Sequence, residues 1–323
     1  MLRLPQVRQG VHLAYVENDN EPGGSEQGVA AAVASELARL LASPVAPGLY
    51  FIATPIGNLG DVSLRALSML ATVDRLYCED TRISRRLLER FGINRRLLTY
   101  HEHNAGEVRP EILAALAEGQ SVALISDAGT PAVSDPGFKL AVSVIAAGHQ
   151  VSPVPGPSAV ISALTVSGLA TDRFLFAGFL AQKSNSRRQQ ITELSAIPAT
   201  VVLYESPHRL ADSLRDLAEL LGPRPAAVAR EITKRYEEIK RGSLVELAEW
   251  SEEVPARGEI TIVIGQASTL PAEDITDDVI EEKLAVLLIE HPPSRAAKLL
   301  AAELGVPKSR VYDIGLKLKQ AKT

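Results

Sequence analysis

The residues of this 323-residue chain best suited to proton chemistry are glutamates standing beside cations at the ends of apolar runs. Tyr204-Glu205-Ser206-Pro207-His208-Arg209 closes one run and Arg230-Glu231-Ile232-Thr233-Lys234-Arg235 closes another, while Arg257-Gly258-Glu259-Ile260-Thr261 opens a third. A carboxylate next to a cation can accept a proton or hold a substrate hydroxyl; the same pair can equally be a surface ion pair. A second kind of chemistry belongs to three segments of small residues and prolines: Thr54-Pro55-Ile56-Gly57-Asn58-Leu59-Gly60-Asp61, the loop Ser126 to Gly137, and Pro153-Val154-Pro155-Gly156-Pro157-Ser158-Ala159. Small side chains let a ligand approach the backbone closely. None of the three carries G-x-G-x-x-G or a Walker lysine, so none reads as an ordinary dinucleotide or nucleotide phosphate cradle.

Other chemistries find less support. His101-Glu102-His103 has no third ligand nearby in sequence and reads as isolated histidines rather than a metal site, and no metal is expected. Asp127 and Asp135 sit in a proline-bound apolar loop that does not suit Mg²⁺. A Ser/His/Asp hydrolase lacks its G-x-S-x-G elbow. The net charge of −5 excludes a global basic field for nucleic acid, so any polyanion site must be local. Local excesses do occur: seven arginines against three acids from Arg82 to Arg109, and eleven Lys/Arg against eight acids from Lys183 to Arg241. The single cysteine, Cys78, fits a reducing compartment. No apolar run nears the roughly 18 residues of a membrane span and no secretory pattern opens the chain, so a cytoplasmic protein without membrane contact is expected.

The elements that must position these residues follow from periodicity. Strands are predicted at Leu49–Thr54, Arg75–Cys78, Leu97–Tyr100, Ser121–Ile125 and Gln150–Val154, with helices at Ser63–Leu70, Ser84–Phe91, Val108–Ala117 and Gly137–Ala147 between them. Such alternation implies an α/β fold with a parallel sheet, whose ligands bind outside the carboxyl ends of the strands. The three small-residue loops all lie at such ends. After Gly168 a second α/β unit is predicted, with strands Phe174–Phe179, Thr200–Tyr204, Ala226–Arg230, Glu238–Gly242 and Glu259–Ile264. Helices Arg187–Ala196 and His208–Leu221 accompany them; the late strands follow one another with little helix between, which implies a mixed sheet. The expected division is therefore a flexible extension at 1–47, an α/β domain at 48–165, a second at 166–268, and a helical module at 273–323. Within the extension, Asn18 to Ser25 reads as loop and Val29 to Leu41 as an alanine-rich helix; Leu270 to Asp274 reads as a linker. The module has a helix-turn-helix look, turning at Gly305-Val306, and from Lys308 five basic residues face one acid. Contact with nucleic-acid phosphates and simple packing or dimerisation both fit it.

Six segments in order carry a resemblance: Thr54 to Asp61, Cys78-Glu79-Asp80-Thr81-Arg82, Ser126 to Gly137, Val154 to Ala159, Tyr204 to Arg209 and Arg230 to Lys234. Together they resemble the ribosomal-RNA-acting branch of the tetrapyrrole methylase superfamily, from about Leu49 to the C-terminus. The resemblance implies two α/β domains with S-adenosylmethionine bent in the cleft between them and held largely by backbone groups. Carried over by motif, its contacts are Pro55, Asp127, Ala128, Gly129, Val133, Ser158 and Ala159, with Phe179 and Ile260 or Thr261 beyond. The implied reaction is methyl transfer to a cytidine ribose 2′-hydroxyl of 16S ribosomal RNA in the small subunit. Glu205, Glu231 and Lys234 are candidates for accepting the proton or stabilising the developing charge, and Asn58 for orienting the sugar. A homodimer is usual in the superfamily. Tetrapyrrole enzymes carry Gly-Asp-Pro where this chain has Gly129-Thr130-Pro131, which counts against a porphyrin substrate. The rival readings are a tetrapyrrole C-methyltransferase and a ligand-sensing regulator that reads DNA through the helical tail.

Overall fold

The computed structural model describes residues 26–253, 257–266, 276–304, 306 and 308–321. The loop expected at Asn18 to Ser25, the linker at Leu270 to Asp274 and the turn residue Gly305 lie outside them. The chain opens with helix α1 (Glu26–Ala42), which buries none of its residues and lies against the next helix.

Strands β1 (Gly48–Ile52), β2 (Arg75–Cys78), β3 (Leu97–Thr99), β4 (Ser121–Ile125) and β5 (Val151–Val154) form one sheet. It is parallel throughout, in the order β3-β2-β4-β1-β5. Helices α2 (Leu64–Thr72), α3 (Thr81–Arg90), α4 (Ala105–Ala117) and α5 (Phe138–Ala146) make the crossovers. Alternate residues of β4 enter opposite cores. Val122 and Leu124 pack with Tyr77, Tyr100 and Leu140, while Ala123 and Ile125 pack with Leu70, Leu76 and Cys78. Burial on both faces explains why this strand is apolar without interruption. The order also brings the candidate site together: β4, β1 and β5 are neighbours, so the three small-residue loops leave adjacent strands at one edge.

The second sheet is mixed, as expected. Strands β6 (Phe174–Phe179), β7 (Thr200–Glu205), β8 (Pro225–Arg230), β9 (Glu238–Ser243) and β10 (Ile260–Ile264) lie in the order β6-β7-β10-β8-β9, with only β6 and β7 parallel. One face carries α7 (Ser184–Ser195), α8 (Leu210–Leu221) and α9 (Leu244–Glu253) over a core that includes Ile191, Leu203, Leu214, Leu247 and Ile262. The other face takes α6 (Ala159–Ser167), whose Val160, Ala163 and Leu164 meet Val202, Ala229 and Val263. Two helices here depart from the sequence reading. Helix α9 separates β9 from β10, where little helix was expected, and it is started by reciprocal bonds between Ser243 and Glu246. Helix α6 begins at the third small-residue loop yet packs on the second sheet, so the division expected after residue 165 passes through it. Arg187 and Asp216, both buried, pair at 2.7 Å beneath α7 and α8, with Arg188 on the second carboxylate oxygen.

Helices α10 (Asp277–Glu290), α11 (Pro293–Leu304) and α12 (Lys308–Ala321) close the chain around Ile280, Leu284, Leu300, Val306, Val311 and Ile314. Arg310 of α12 bonds Asp277 of α10 at 2.7 Å, so that guanidinium is engaged inside the module.

Candidate functional site

The loops after β1, β4 and β5 lock to one another before they meet anything else. Thr54 and Gly129 exchange two backbone hydrogen bonds of 2.9 and 3.0 Å. The Thr54 hydroxyl donates to the Ser126 carbonyl, and the Thr130 hydroxyl donates to the Pro157 carbonyl at 3.2 Å. An ionised aspartate at position 130 could not make that last bond, so the threonine that departs from the tetrapyrrole pattern also ties the second loop to the third. Gly129 has φ +82° and Gly137 φ +143°, and the non-glycine residues Ala132 and Ser134 are also left-handed at φ 69° and 61°. Backbone held in this region persists only where its surroundings over-determine it.

From the second domain, the segment after β8 folds over the first loop. Glu231 and Thr233 adopt φ 49° and 66°. A Cβ on Gly57 would collide with the Lys234 side chain, and one on Gly258 would lie 2.6 Å from Cγ of Glu231. Glycine is thus required at Gly57, where the two domains close on each other, and at Gly258 within the second. The Lys234 ammonium donates to Glu231 Oε1 at 2.7 Å and to Glu259 Oε2 at 3.2 Å, and Glu231 Oε1 also accepts the Glu259 amide. Lys234 holds the Glu231 carboxyl below its usual range. Burial opposes charging of Lys234, but Glu231 and Glu259 together hold its ammonium above the ordinary value.

Between the two domains lies a cavity of about 370 Å³. Ile56, Ala128, Gly129 and Ala159 form its first-domain wall, and Phe179, Ile232, Ile260 and Thr261 part of the other. Its polar groups are Ser134, Asp135, Tyr204, Glu205, Ser206 and Glu259. Burial, reinforced by the Asp127 charge, pushes the Asp135 carboxyl up to about 6, and contact with the Ser126 hydroxyl opposes the rise. Burial likewise lifts the Tyr204 phenol to about 12, with Asp135 adding to it. Its ring stacks edge-on against Phe176 at 4.8 Å and tilts against Phe179 at 5.5 Å.

Of the expected cofactor contacts, Ala128, Gly129, Ala159, Phe179 and Thr261 line this cavity, as does Ile260. Pro55 and Asp127 line an adjoining smaller depression instead. Asp127 accepts the Asp80 amide at 3.0 Å, and burial raises its carboxyl. Val133 and Ser158 stand in the same loops, each next to a lining residue but not on the lining. Among the candidate catalytic residues, Glu205 lines the cavity. Its oxygens are bonded by the Ser206 amide at 2.7 Å and the Ser213 hydroxyl at 2.5 Å, with the Arg209 guanidinium 3.5 Å away. Glu231 and Lys234 stand behind the lining, where they brace Glu259 and Gly258. Asn58 is exposed, and its side chain accepts the Gly60 amide to start a short 3-10 turn. Sequence reasoning did not select Asp135, Tyr204, Ser134 or Ile56 as site residues. All four lie inside the motif segments, but only their three-dimensional setting marks them.

A family model described as tetrapyrrole (corrin/porphyrin) methylases matches residues 48–248, and one described as the RsmI C-terminal HTH domain matches residues 273–319. A ribosomal RNA small subunit methyltransferase I from Mesorhizobium japonicum is 50% identical over 280 residues, covering 86% of this chain and 94% of its own. Its namesake from Escherichia coli O157:H7 is 44% identical, covering 83% and 94%. Among solved structures, a diphthine synthase aligns with TM-score 0.53 at 16% identity, covering 67% of this chain and 90% of its own. A cobalt precorrin-4 methyltransferase aligns at 0.50 and 18% identity, covering 67% and 94%; at these identities both speak to the fold alone. With that fold, the two matching family models and these relatives, the chain belongs to the ribosomal RNA small subunit methyltransferase I family of tetrapyrrole methylases.

Proposed function

We propose that this chain transfers the methyl group of S-adenosylmethionine to the ribose 2′-hydroxyl of a cytidine in 16S ribosomal RNA, with the cofactor in the interdomain cavity. The observation that carries this reading is the convergence of three interlocked small-residue loops on one cavity edged by Asp135, Glu205 and Glu259. Backbone and carboxylates suit a cofactor that carries a sulfonium cation and no phosphate. Gly129, whose Cβ would lie 3.3 Å from the Ile56 methyl, lets the backbone form the cavity wall. Ala128, Ala159, Phe179 and Thr261 would complete the cofactor's surroundings, and Pro55, Asp127, Val133 and Ser158 would hold the loops that carry them.

In the reaction the carbon–sulfur bond breaks with its electron pair going to sulfur, a carbon–oxygen bond forms, and the hydroxyl proton leaves. In-line placement of the hydroxyl is the first requirement. Glu205, Glu231 and Lys234 remain the candidates for the proton and for the charge that develops on oxygen. Glu231 and Lys234 would act through Glu259, the cavity carboxylate that Lys234 holds. Asn58, exposed on the first loop, would meet the sugar from outside the cavity.

The enzyme would act in the cytoplasm on the small ribosomal subunit; among the described residues no helix is long and apolar enough to cross a membrane. A homodimer fits the exposed apolar face of α5, where Phe138, Val142 and Ile145 are 70%, 51% and 62% exposed at helical spacing. The expected division into an N-terminal extension, two α/β domains and a helical module would then place the reaction between the two middle parts. Purified protein supplied with labelled cofactor should methylate small subunits from cells lacking the gene and leave uroporphyrinogen III unlabelled. Label on the tetrapyrrole and none on the subunit would replace this reading with its rival.

A further inference from the structure

We infer that the exposed arginine face of α3, with the depression at its foot, is the track on which single-stranded ribosomal RNA approaches the cavity; this rests on the RNA-methylating reading above. Helix α3 turns Ser84, Leu87 and Leu88 inward and presents Arg82, Arg85, Arg86 and Arg90 to solvent, with Glu89 as the only acid within the helix. That face is locally unfavourable. Arg82 and Arg86, and Arg86 and Arg90, are like charges four residues apart, and arginines in the opening turns oppose the helix dipole.

In the second domain many guanidiniums are engaged within the fold. Arg187 and Arg188 hold Asp216, Arg215 holds Asp212, Arg230 holds Glu238, and Arg241 bonds the Val166 carbonyl. On α3, among the described residues, only Arg82 is bound, to the capping residue Asp80. Arg85, Arg86 and Arg90 have no carboxylate or carbonyl partner among the described residues, in a chain whose net charge is −5. Three exposed guanidiniums without intramolecular partners, on one helix face, complement a phosphate backbone.

The second observation is the surface beside them. A depression of about 180 Å³ lies at the foot of α3, lined by Pro55, Gly57, Leu59, Ile83, Arg86 and Asp127 among others. Leu59 and Ile83 are exposed apolar side chains, 40% and 44% accessible, and line the depression together with Arg86. An apolar pad flanked by guanidinium planes is where an unpaired base stacks. The depression neighbours the site: Ser126 and Asp127 line it, the next two residues line the cavity, and the Thr54–Gly129 bridge stands between. A strand with its phosphates on α3 and one base on the Leu59–Ile83 pad therefore leads the neighbouring nucleotide toward the cavity. A duplex, whose bases remain stacked, gains nothing from the pad.

The full-length variant Arg85→Glu/Arg86→Glu/Arg90→Glu tests this, with Ile83→Asp beside it. Calorimetry with S-adenosylmethionine should give unchanged affinity for both, showing that cavity and fold survive. Binding of a fluorescent single-stranded RNA oligonucleotide should weaken at least tenfold in the triple variant, and the slope of log affinity against log salt should fall by about 0.7 for each phosphate no longer neutralised. Ile83→Asp should weaken binding several-fold with nearly the same salt slope. On small subunits KM should rise at least tenfold in the triple variant, with kcat within about twofold of the parent. Parental RNA affinity, salt slope and KM in the triple variant would overturn the proposal, and so would equal loss of single-strand and duplex binding in Ile83→Asp. If the parent methylates no subunit yet the triple variant still loses the oligonucleotide, the functional reading fails while the surface assignment stands.

Discussion

Replacing Gly129 by valine should weaken cofactor binding at least tenfold without unfolding the protein. The residue sits at φ +82°, and a Cβ there would lie 3.3 Å from Ile56 Cγ2 and 3.8 Å from the Pro157 carbonyl. Left-handed backbone costs an L-residue roughly 1–2 kcal/mol, and forcing extra methyl groups into a packed position costs about 1–3 more. The summed destabilisation of roughly 2–5 kcal/mol lowers the melting temperature measurably. It also displaces a wall shared by Ile56 and the Thr54–Gly129 bridge, both parts of the cavity edge. Titration calorimetry with S-adenosylmethionine should show at least a tenfold loss of affinity, about 1.4 kcal/mol or more. Gly119 supplies the control: its φ is +78°, nearly the same, but nothing lies within 4 Å of a Cβ built there. Gly119→Val should lose stability through backbone strain alone and keep parental affinity. Parental cofactor affinity in Gly129→Val, or equal losses in both variants, would refute the placement of the cofactor against this loop.

Asp216→Ala should cost about 3–5 kcal/mol in denaturant unfolding, because it strands the buried Arg187 guanidinium beneath α7 and α8; a loss under about 1 kcal/mol would contradict that burial. Asp135, raised from 3.8 to about 6, destabilises the fold only when ionised. Its cost is nearly absent at pH 4 and below, grows between about pH 4 and 6, and levels off above at no more than about 3 kcal/mol. Asp135→Asn should therefore be more stable than the parent at pH 8 and equal to it at pH 4, and a difference that does not change with pH would reject the assignment. The same variant should bind S-adenosylmethionine less well while leaving the neutral S-adenosylhomocysteine nearly unaffected, since only the former carries a sulfonium for the carboxylate to face. Gly57→Ala should lower methyl transfer by pushing aside the Lys234 side chain, and Lys234→Ala should relieve part of that added loss in the double variant; strict additivity of the two effects would argue against the contact.

Strands β2, β4 and β6 were legible in the sequence to the residue, because an apolar run bounded by turn chemistry has sharp limits. The convergence of the loops after β1, β4 and β5 was legible as strand-end chemistry, and the sheet order then makes them neighbours. Helix α6 escaped because Ala159–Ser167 is apolar around much of its circumference and follows a proline-rich segment, leaving no 3.6-residue pattern to read. Helix α9 carried a readable signal in Ser243-Leu244-Val245-Glu246, a capping box whose bonds form in the structure. The polar lining was harder. Asp135 reaches the cavity because Ala132 and Ser134 turn left-handed, and Tyr204 because its ring is caught between Phe176 and Phe179. Backbone of that kind in non-glycine residues is set by tertiary packing, which residue types do not announce. Glu231 and Lys234 were singled out for chemistry; their bonds to each other and to Glu259 make them the brace behind the cavity wall.

The most direct measurement follows the label from cofactor to nucleotide. Small subunits from cells lacking the gene would be incubated with the protein and tritiated S-adenosylmethionine, and their 16S RNA then hydrolysed in alkali. A 2′-O-methyl group removes the hydroxyl that attacks the adjacent phosphate, so a methylated ribose survives as an alkali-resistant dinucleotide. The label should be recovered in one such dinucleotide with cytidine on its 5′ side. Label released as an ordinary mononucleotide would place the methyl group on a base and contradict the proposed ribose methylation.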